Sequence, residues 1–141
     1  MKKVILALII LIFLFSGCIN EEVFVYQVVD GDTFIISTGD SVRLIGIDTP
    51  EKDEAYYSEA KEMLSKLLED KKVTLEKDKD DKDSYDRLLR YVYADGVFVN
   101  LELVKAGYAR VIIISPNSKY ESKLKKAELE ARESKTGIWS L

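Results

Sequence analysis

Residues 23–47 read VFVYQVVDGDTFIISTGDSVRLIGI. Three runs rich in β-branched and aromatic residues, 23–29, 33–37 and 41–47, are separated by Asp30-Gly31-Asp32 and Thr38-Gly39-Asp40. Short apolar runs broken by Gly and Asp turns predict three consecutive antiparallel strands. Downstream the period changes. Within 55–69, Ala60, Met63, Leu64, Leu67 and Leu68 fall at i, i+3, i+4, i+7 and i+8, one face of an amphipathic helix. Residues 72–77 alternate as a fourth strand and 88–94 form a fifth, ahead of the Asp95-Gly96 turn. Asn100 is placed as the N-cap of a short helix, Leu101–Ala106, stopped by Gly107. Residues 109–114 read as a short extended segment. Ser118 and Glu121 form a capping box before a last helix with Tyr120, Leu124, Ala127 and Ala131 on one face. The class is therefore α+β, mainly β. Five strands with about three helices packed outside suggest a small barrel of the oligonucleotide-binding kind, although periodicity alone fits other α+β arrangements as well.

The chain has 141 residues, enough for one domain, and is 47% hydrophobic and 33% charged, as in globular proteins. It has no histidine and one cysteine. An intrachain disulfide is impossible, and Ser-His-Asp or Cys-His catalysis, histidine-ligated zinc and histidine-relay ribonuclease chemistry are excluded. Lys2 and Lys3 precede the wholly apolar run 4–15, which is short for a membrane-spanning helix of about 20 residues. A positive start, a short apolar run and small residues before a cut describe a secretory signal. The lone Cys18 follows Ser16-Gly17, as in a lipoprotein signal. The expected organisation is a signal peptide at 1–17, a short tether at 18–22 and one domain at 23–141. Lipidated Cys18 would hold that domain outside the cytoplasmic membrane without letting it span; secretion after ordinary cleavage is the alternative. Losing residues 1–17 removes Lys2 and Lys3, so 21 basic residues become 19 against 25 acidic, a net −6. Bulk charge thus argues against a nonspecific nucleic-acid coat, but not against a local basic site.

Without histidine, a hydrolase must use a carboxylate base or a metal-bound water. Asp32, Asp48 and Glu51 stand at strand ends beside turn residues, and Pro50 biases Thr49 toward an extended conformation that leaves its carbonyl free. Oxygen-only ligands suit a hard cation, calcium or magnesium. Arg43 lies inside an apolar strand, and Arg87 follows Tyr85 where the fifth strand begins. Guanidinium forks match phosphate oxygens and stabilise the charge of phosphoryl transfer. Arg90 is set aside because it sits within the strand. Taken singly, each of these residues has a bland alternative as a turn former or surface ion pair. Arg43 and Asp48 are five residues apart, which strict alternation puts on opposite faces; a bulge at Gly46, or an earlier strand end, must bring them together.

Val29-Asp30-Gly31-Asp32-Thr33, Val42-Arg43-Leu44, Ile47-Asp48-Thr49-Pro50-Glu51, Tyr85-Asp86-Arg87, Tyr93-Ala94-Asp95-Gly96 with Val99-Asn100, and Gly137-Ile138-Trp139 together resemble the staphylococcal nuclease (thermonuclease) family in order and spacing. The resemblance runs over roughly 23–140. It implies a five-stranded barrel with three helices and a calcium-dependent endonuclease that acts on DNA and RNA and leaves 3′-phosphate ends. It also implies that Asp32, Asp48 and the Thr49 carbonyl bind calcium, and that Glu51 is the proposed general base. Arg43 and Arg87 would bind the scissile phosphate, and Tyr85 would hydrogen-bond a neighbouring one. Two departures stand out. Ser84 replaces a lysine before the tyrosine, and Ile112-Ile113-Ile114-Ser115 lacks the aromatic rings that pack on a nucleotide base. Weaker or different nucleotide binding is expected, since base stacking contributes roughly 1–3 kcal/mol per base. The expected partners are nucleic acid and, through Cys18, the membrane, with the domain a monomer. The competing readings are a noncatalytic nucleic-acid-binding module on the same barrel and a purely structural surface lipoprotein.

Overall fold

A computed structural model describes residues 21–141. The signal-peptide reading of 1–17 and the lipidation assigned to Cys18 fall outside the described residues. Strand β1 (Glu21–Val28) is followed by β2 (Thr33–Ile36), β3 (Ser41–Leu44) and the two-residue β4 (Ile47–Asp48). Helix α1 (Tyr57–Leu68) leads to β5 (Lys72–Glu76), β6 (Leu88–Ala94) and β7 (Val97–Phe98). Helix α2 (Val99–Lys105), β8 (Arg110–Val111), helix α3 (Glu121–Glu133) and a 3-10 turn (Gly137–Ser140) complete the chain.

Five strands close a barrel. The first half of β1 pairs with β5 (Val23 opposite Val73) and its second half with β2 (Val28 opposite Phe34). An irregularity between Val25 and Gln27 separates the halves; an extra residue there bends the strand, letting it serve two neighbours. β2 pairs with β3, β5 pairs with β6, and β3 runs parallel to β6 to seal the ring (Val42 opposite Leu88). Closure removes the open edges of an isolated sheet. Phe34, Val42, Leu44, Val73, Leu75 and Val92 fill the interior. Helix α1 buries Ala60, Leu64 and Leu68, with Met63 and Leu67 packed alongside, so its apolar stripe is the one the spacing predicts. Helix α3 likewise buries Leu124, Ala127 and Ala131.

Several local expectations are corrected. β3 stops at Leu44 rather than reaching Ile47. Asn100 is not a cap: α2 begins at Val99, and Asn100 is fully buried inside it. Its Oδ1 accepts the Val92 N–H (2.9 Å) while its Nδ2 donates to the Ile45 carbonyl (2.9 Å). It therefore satisfies backbone groups where β3 and β6 meet, a role that local sequence cannot express. No Ser118 side-chain cap forms; α3 starts at Glu121, whose N–H meets the Ser118 carbonyl instead. Only Arg110–Val111 of the 109–114 segment is strand, paired with β4. The charged run 77–83 is pinned: Asn117 Oδ1 accepts the N–H groups of Lys79 and Asp80, and Asp81 pairs with both Lys77 and buried Arg90.

Candidate active site

The turn between β1 and β2 folds on itself, with the Asp32 N–H bonded to Asp30 Oδ1 (3.0 Å). Gly31 lets this turn press against the next loop, since a Cβ there would lie 2.6 Å from Thr49 Oγ1 and 2.8 Å from the Ala60 Cβ. Asp32, only 6% exposed, accepts the Thr49 N–H (3.0 Å) and Thr49 hydroxyl (3.1 Å) on Oδ2, and the Thr33 hydroxyl (3.0 Å) on Oδ1. These three donors compensate the carboxyl oxygens for the water lost on burial.

Arg43 pairs across the sheet with Thr33, which places it beside Asp32. The early end of β3 and the turn at Gly46 (φ +79°) then bring Asp48 back to the same guanidinium. One Nη of Arg43 donates to the carbonyls of Leu44 (2.6 Å) and Ile47 (2.8 Å); the other reaches Asp48 Oδ1 (3.1 Å) and Asp32 Oδ2 (3.3 Å). Glycine suits this turn because L side chains rarely adopt a φ of +79°, and a Cβ there would press on Leu124 Cδ1 at 2.8 Å. The apparent clash with strand alternation is thus resolved by ending the strand. β4 pairs with β8, setting Arg110 opposite Asp48.

The Asp48 carboxyl is pushed above the ordinary carboxylate range, chiefly by burial; Arg43 and Arg110 pull it down, while Asp32 and Glu54 push it up. Burial and the neighbouring Asp32 charge likewise raise Asp30. Two carboxylates crowded at one guanidinium form an all-oxygen donor set for a hard cation. The Thr49 carbonyl, which accepts no hydrogen bond among the described residues, can complete it. Among the described residues no group of three or more acidic, histidine or cysteine side chains could hold a metal. The residues fit an ion whose remaining positions are filled by main chain, water or substrate.

A cleft of about 340 Å³ opens beside this cluster. Arg43, Arg87, Lys82, Ile112 and Ile114 are among its lining residues, so the two arginines singled out in the sequence converge. Arg87 Nε donates to Asp83 Oδ2 (2.7 Å), and its guanidinium lies 5.4 Å from the Tyr85 ring, which is 80% exposed. Glu51 is exposed and is not joined to the cluster. Its N–H donates to Glu54 Oε2 and its carbonyl accepts the Glu54 N–H, both at 2.8 Å. Arg90 is buried on Asp81 and the carbonyls of Asp81 and Leu89, a structural role that justifies setting it aside. Sequence reading missed Asp83, Glu54 and Arg110. The spacing of Asp83 four before Arg87 was the available signal for the first; the other two become neighbours of Asp48 only through folding.

A family model described as "Staphylococcal nuclease homologue" matches residues 41–141. The thermonuclease of Staphylococcus hyicus is 37% identical over 131 residues, covering 86% of this chain and 78% of that protein. The SPbeta prophage-derived endonuclease YokF of Bacillus subtilis (strain 168) is 42% identical over 125 residues, 81% of this chain and 42% of its own length. Endonuclease YncB of the same strain is 40% identical over 125 residues, 81% of this chain and 59% of its own.

Proposed function

Because the chain belongs to the staphylococcal nuclease family and is a nuclease by that relationship, we propose that it is a calcium-dependent endonuclease that hydrolyses DNA and RNA to 3′-phosphate ends. The observation that carries this reading is the meeting of Asp32 and Asp48 at Arg43, an arginine that lines one cleft together with Arg87. In this reading Asp32, Asp48 and the Thr49 carbonyl would hold calcium, and the ion would supply positive charge that offsets the charge of the phosphodiester. Arg43 and Arg87 present N–H donors to the scissile phosphate and stabilise the charge that develops on it. Arg43 is held by four protein oxygens through its two Nη groups, which leaves its Nε–H as the donor not engaged among the described residues. Glu51, exposed three residues beyond Asp48, takes the proton of the attacking water. Tyr85 offers its hydroxyl to an adjacent phosphate. Bond breaking on the 5′-oxygen side leaves the phosphate on the 3′ end.

The test is cleavage of a single-stranded oligonucleotide by the full chain, with calcium and after chelation. Activity is expected only with the ion. Glu51→Gln or Arg87→Ala should lower kcat by roughly 10²–10³-fold with the melting temperature retained. Unchanged cleavage in either variant overturns that residue's role. Binding without cleavage by the parent chain points instead to a noncatalytic binding module.

Lipidation of Cys18 is part of the same proposal, and places the nuclease on the outer face of the membrane. With β1 starting at Glu21, the barrel would ride close to that surface. Detergent-phase partitioning that is lost in Cys18→Ala, and a monomeric elution volume for the solubilised protein, are the expected results.

A further inference from the structure

Arg43 is locked inside the barrel wall, whereas Arg87 comes from the loop between β5 and β6. A loop arginine needs a support if it is to meet a phosphate in one geometry. That support is a single carboxylate, only 18% exposed. Asp83 Oδ2 accepts from Arg87 Nε at 2.7 Å. Asp83 Oδ1 accepts the main-chain N–H of Arg87 at 3.0 Å and that of Tyr85 at 2.9 Å. The main chain closes the same ring: the Asp83 N–H donates to the Arg87 carbonyl (3.0 Å) and the Asp86 N–H to the Asp83 carbonyl (3.1 Å). Asp86, at φ +63°, supplies the reversal. Both residues proposed to touch phosphates from this loop therefore hang from one side chain. Only Nε of the fork is consumed; neither Nη of Arg87 is hydrogen-bonded among the described residues.

We propose that Asp83 is a positioning residue for phosphodiester cleavage: it grips Arg87 by Nε, so both Nη groups stay available to the phosphate, and it fixes the Tyr85 main chain with the same carboxylate. The inference rests on the nuclease reading above. Holding the guanidinium at its inner nitrogen removes freedom that substrate binding would otherwise have to remove. Burial pushes the Asp83 carboxyl up, but the hydrogen bonds from Arg87 and Tyr85 outweigh it and hold the group below the usual carboxylate range. The grip is thus intact at neutral pH.

The experiment is a double-mutant cycle on the full chain, with a single-stranded oligonucleotide and calcium at saturating concentration, using Asp83→Asn, Arg87→Lys and the double variant. Asparagine keeps the shape but not the charge, and lysine lacks the guanidinium Nε–H that Asp83 grips. Asp83→Asn is expected to lower kcat roughly 10- to 100-fold with KM changed less than about threefold. In the Arg87→Lys background the same change should cost less than about threefold, because the contact is already gone. A purely structural role would lower the melting temperature but leave the two kcat effects multiplicative. If Asp83→Asn melts below the assay temperature, Asp83→Glu takes its place in the cycle, with the same pattern expected. Multiplicative kcat losses, or a parental kcat in Asp83→Asn, overturn the proposal while leaving the nuclease reading intact. A parent chain that does not cleave under these conditions overturns both.

Discussion

Replacing Asn100 by alanine separates two readings of that residue by magnitude. The side chain is fully buried, and it is bonded to the Val92 N–H and the Ile45 carbonyl at 2.9 Å each. Alanine would leave one donor and one acceptor in the interior. Each orphaned group costs about 1–3 kcal/mol, for a total of about 2–6 kcal/mol. With an unfolding entropy of about 2.1 cal/mol/K per residue over roughly 120 ordered residues, each kcal/mol lowers the melting temperature by about 4 °C. The expected fall is therefore about 8–24 °C. A surface N-cap replaced by alanine would cost only about 1 kcal/mol, or about 4 °C. Thermal unfolding followed by circular dichroism, checked by urea denaturation, gives the answer. A fall below about 5 °C, with an unchanged urea m-value, would refute the claim that Asn100 ties the strand junction together.

Gly31→Ala should destabilise by about 1–3 kcal/mol, because its Cβ would overlap Thr49 and Ala60; the urea midpoint reads this. Asp48→Asn should raise the urea midpoint at pH 7 but not at pH 3. The Asp48 carboxyl is raised mainly by burial, so its ionised form opposes folding above its native pKa, and the penalty vanishes as pH falls through that value. Asp81 and Asp83 have the opposite sign. Hydrogen bonds from Lys77 and Arg90 to Asp81, and from Arg87 and Tyr85 to Asp83, hold both below the ordinary range, for Asp83 against the upward push of burial. The stability they add is present above about pH 4, the unfolded value, and is lost as pH falls through their depressed native values, visible as a falling urea midpoint. Ile114→Tyr places a ring on a cleft wall where Ile114 is 70% exposed. It should tighten oligonucleotide binding about 5- to 150-fold, corresponding to about 1–3 kcal/mol of base stacking; fluorescence titration measures it.

Much of the fold is legible in the order of residues. The β-branched and aromatic run 33–36, the alternation in 41–44 and 72–76, the turn residues between runs and the stripe Ala60, Leu64, Leu68 each specify an element from its own neighbours. This works because the pleat and the helical turn repeat over a few residues, so a buried face leaves a local trace. The types of the site residues are legible for a similar reason: without histidine, only carboxylates and arginines remain to do hydrolytic chemistry on a phosphate.

Which of these residues meet is decided only by folding. Periodicity says that Arg43 and Asp48 should point apart; an early strand end and a left-handed glycine make them touch. Arg87 and Arg90 are three residues apart in similar company, yet one lines the cleft and the other is buried on Asp81, because the loop returns over the strand and Asn117 pins it there. Asn100 is indistinguishable from a helix cap until β3 and β6 close around it. In each case the deciding partner is distant in the chain. A side chain's spacing fixes the face it occupies, while its hydrogen-bond partners depend on which strand the backbone brings alongside.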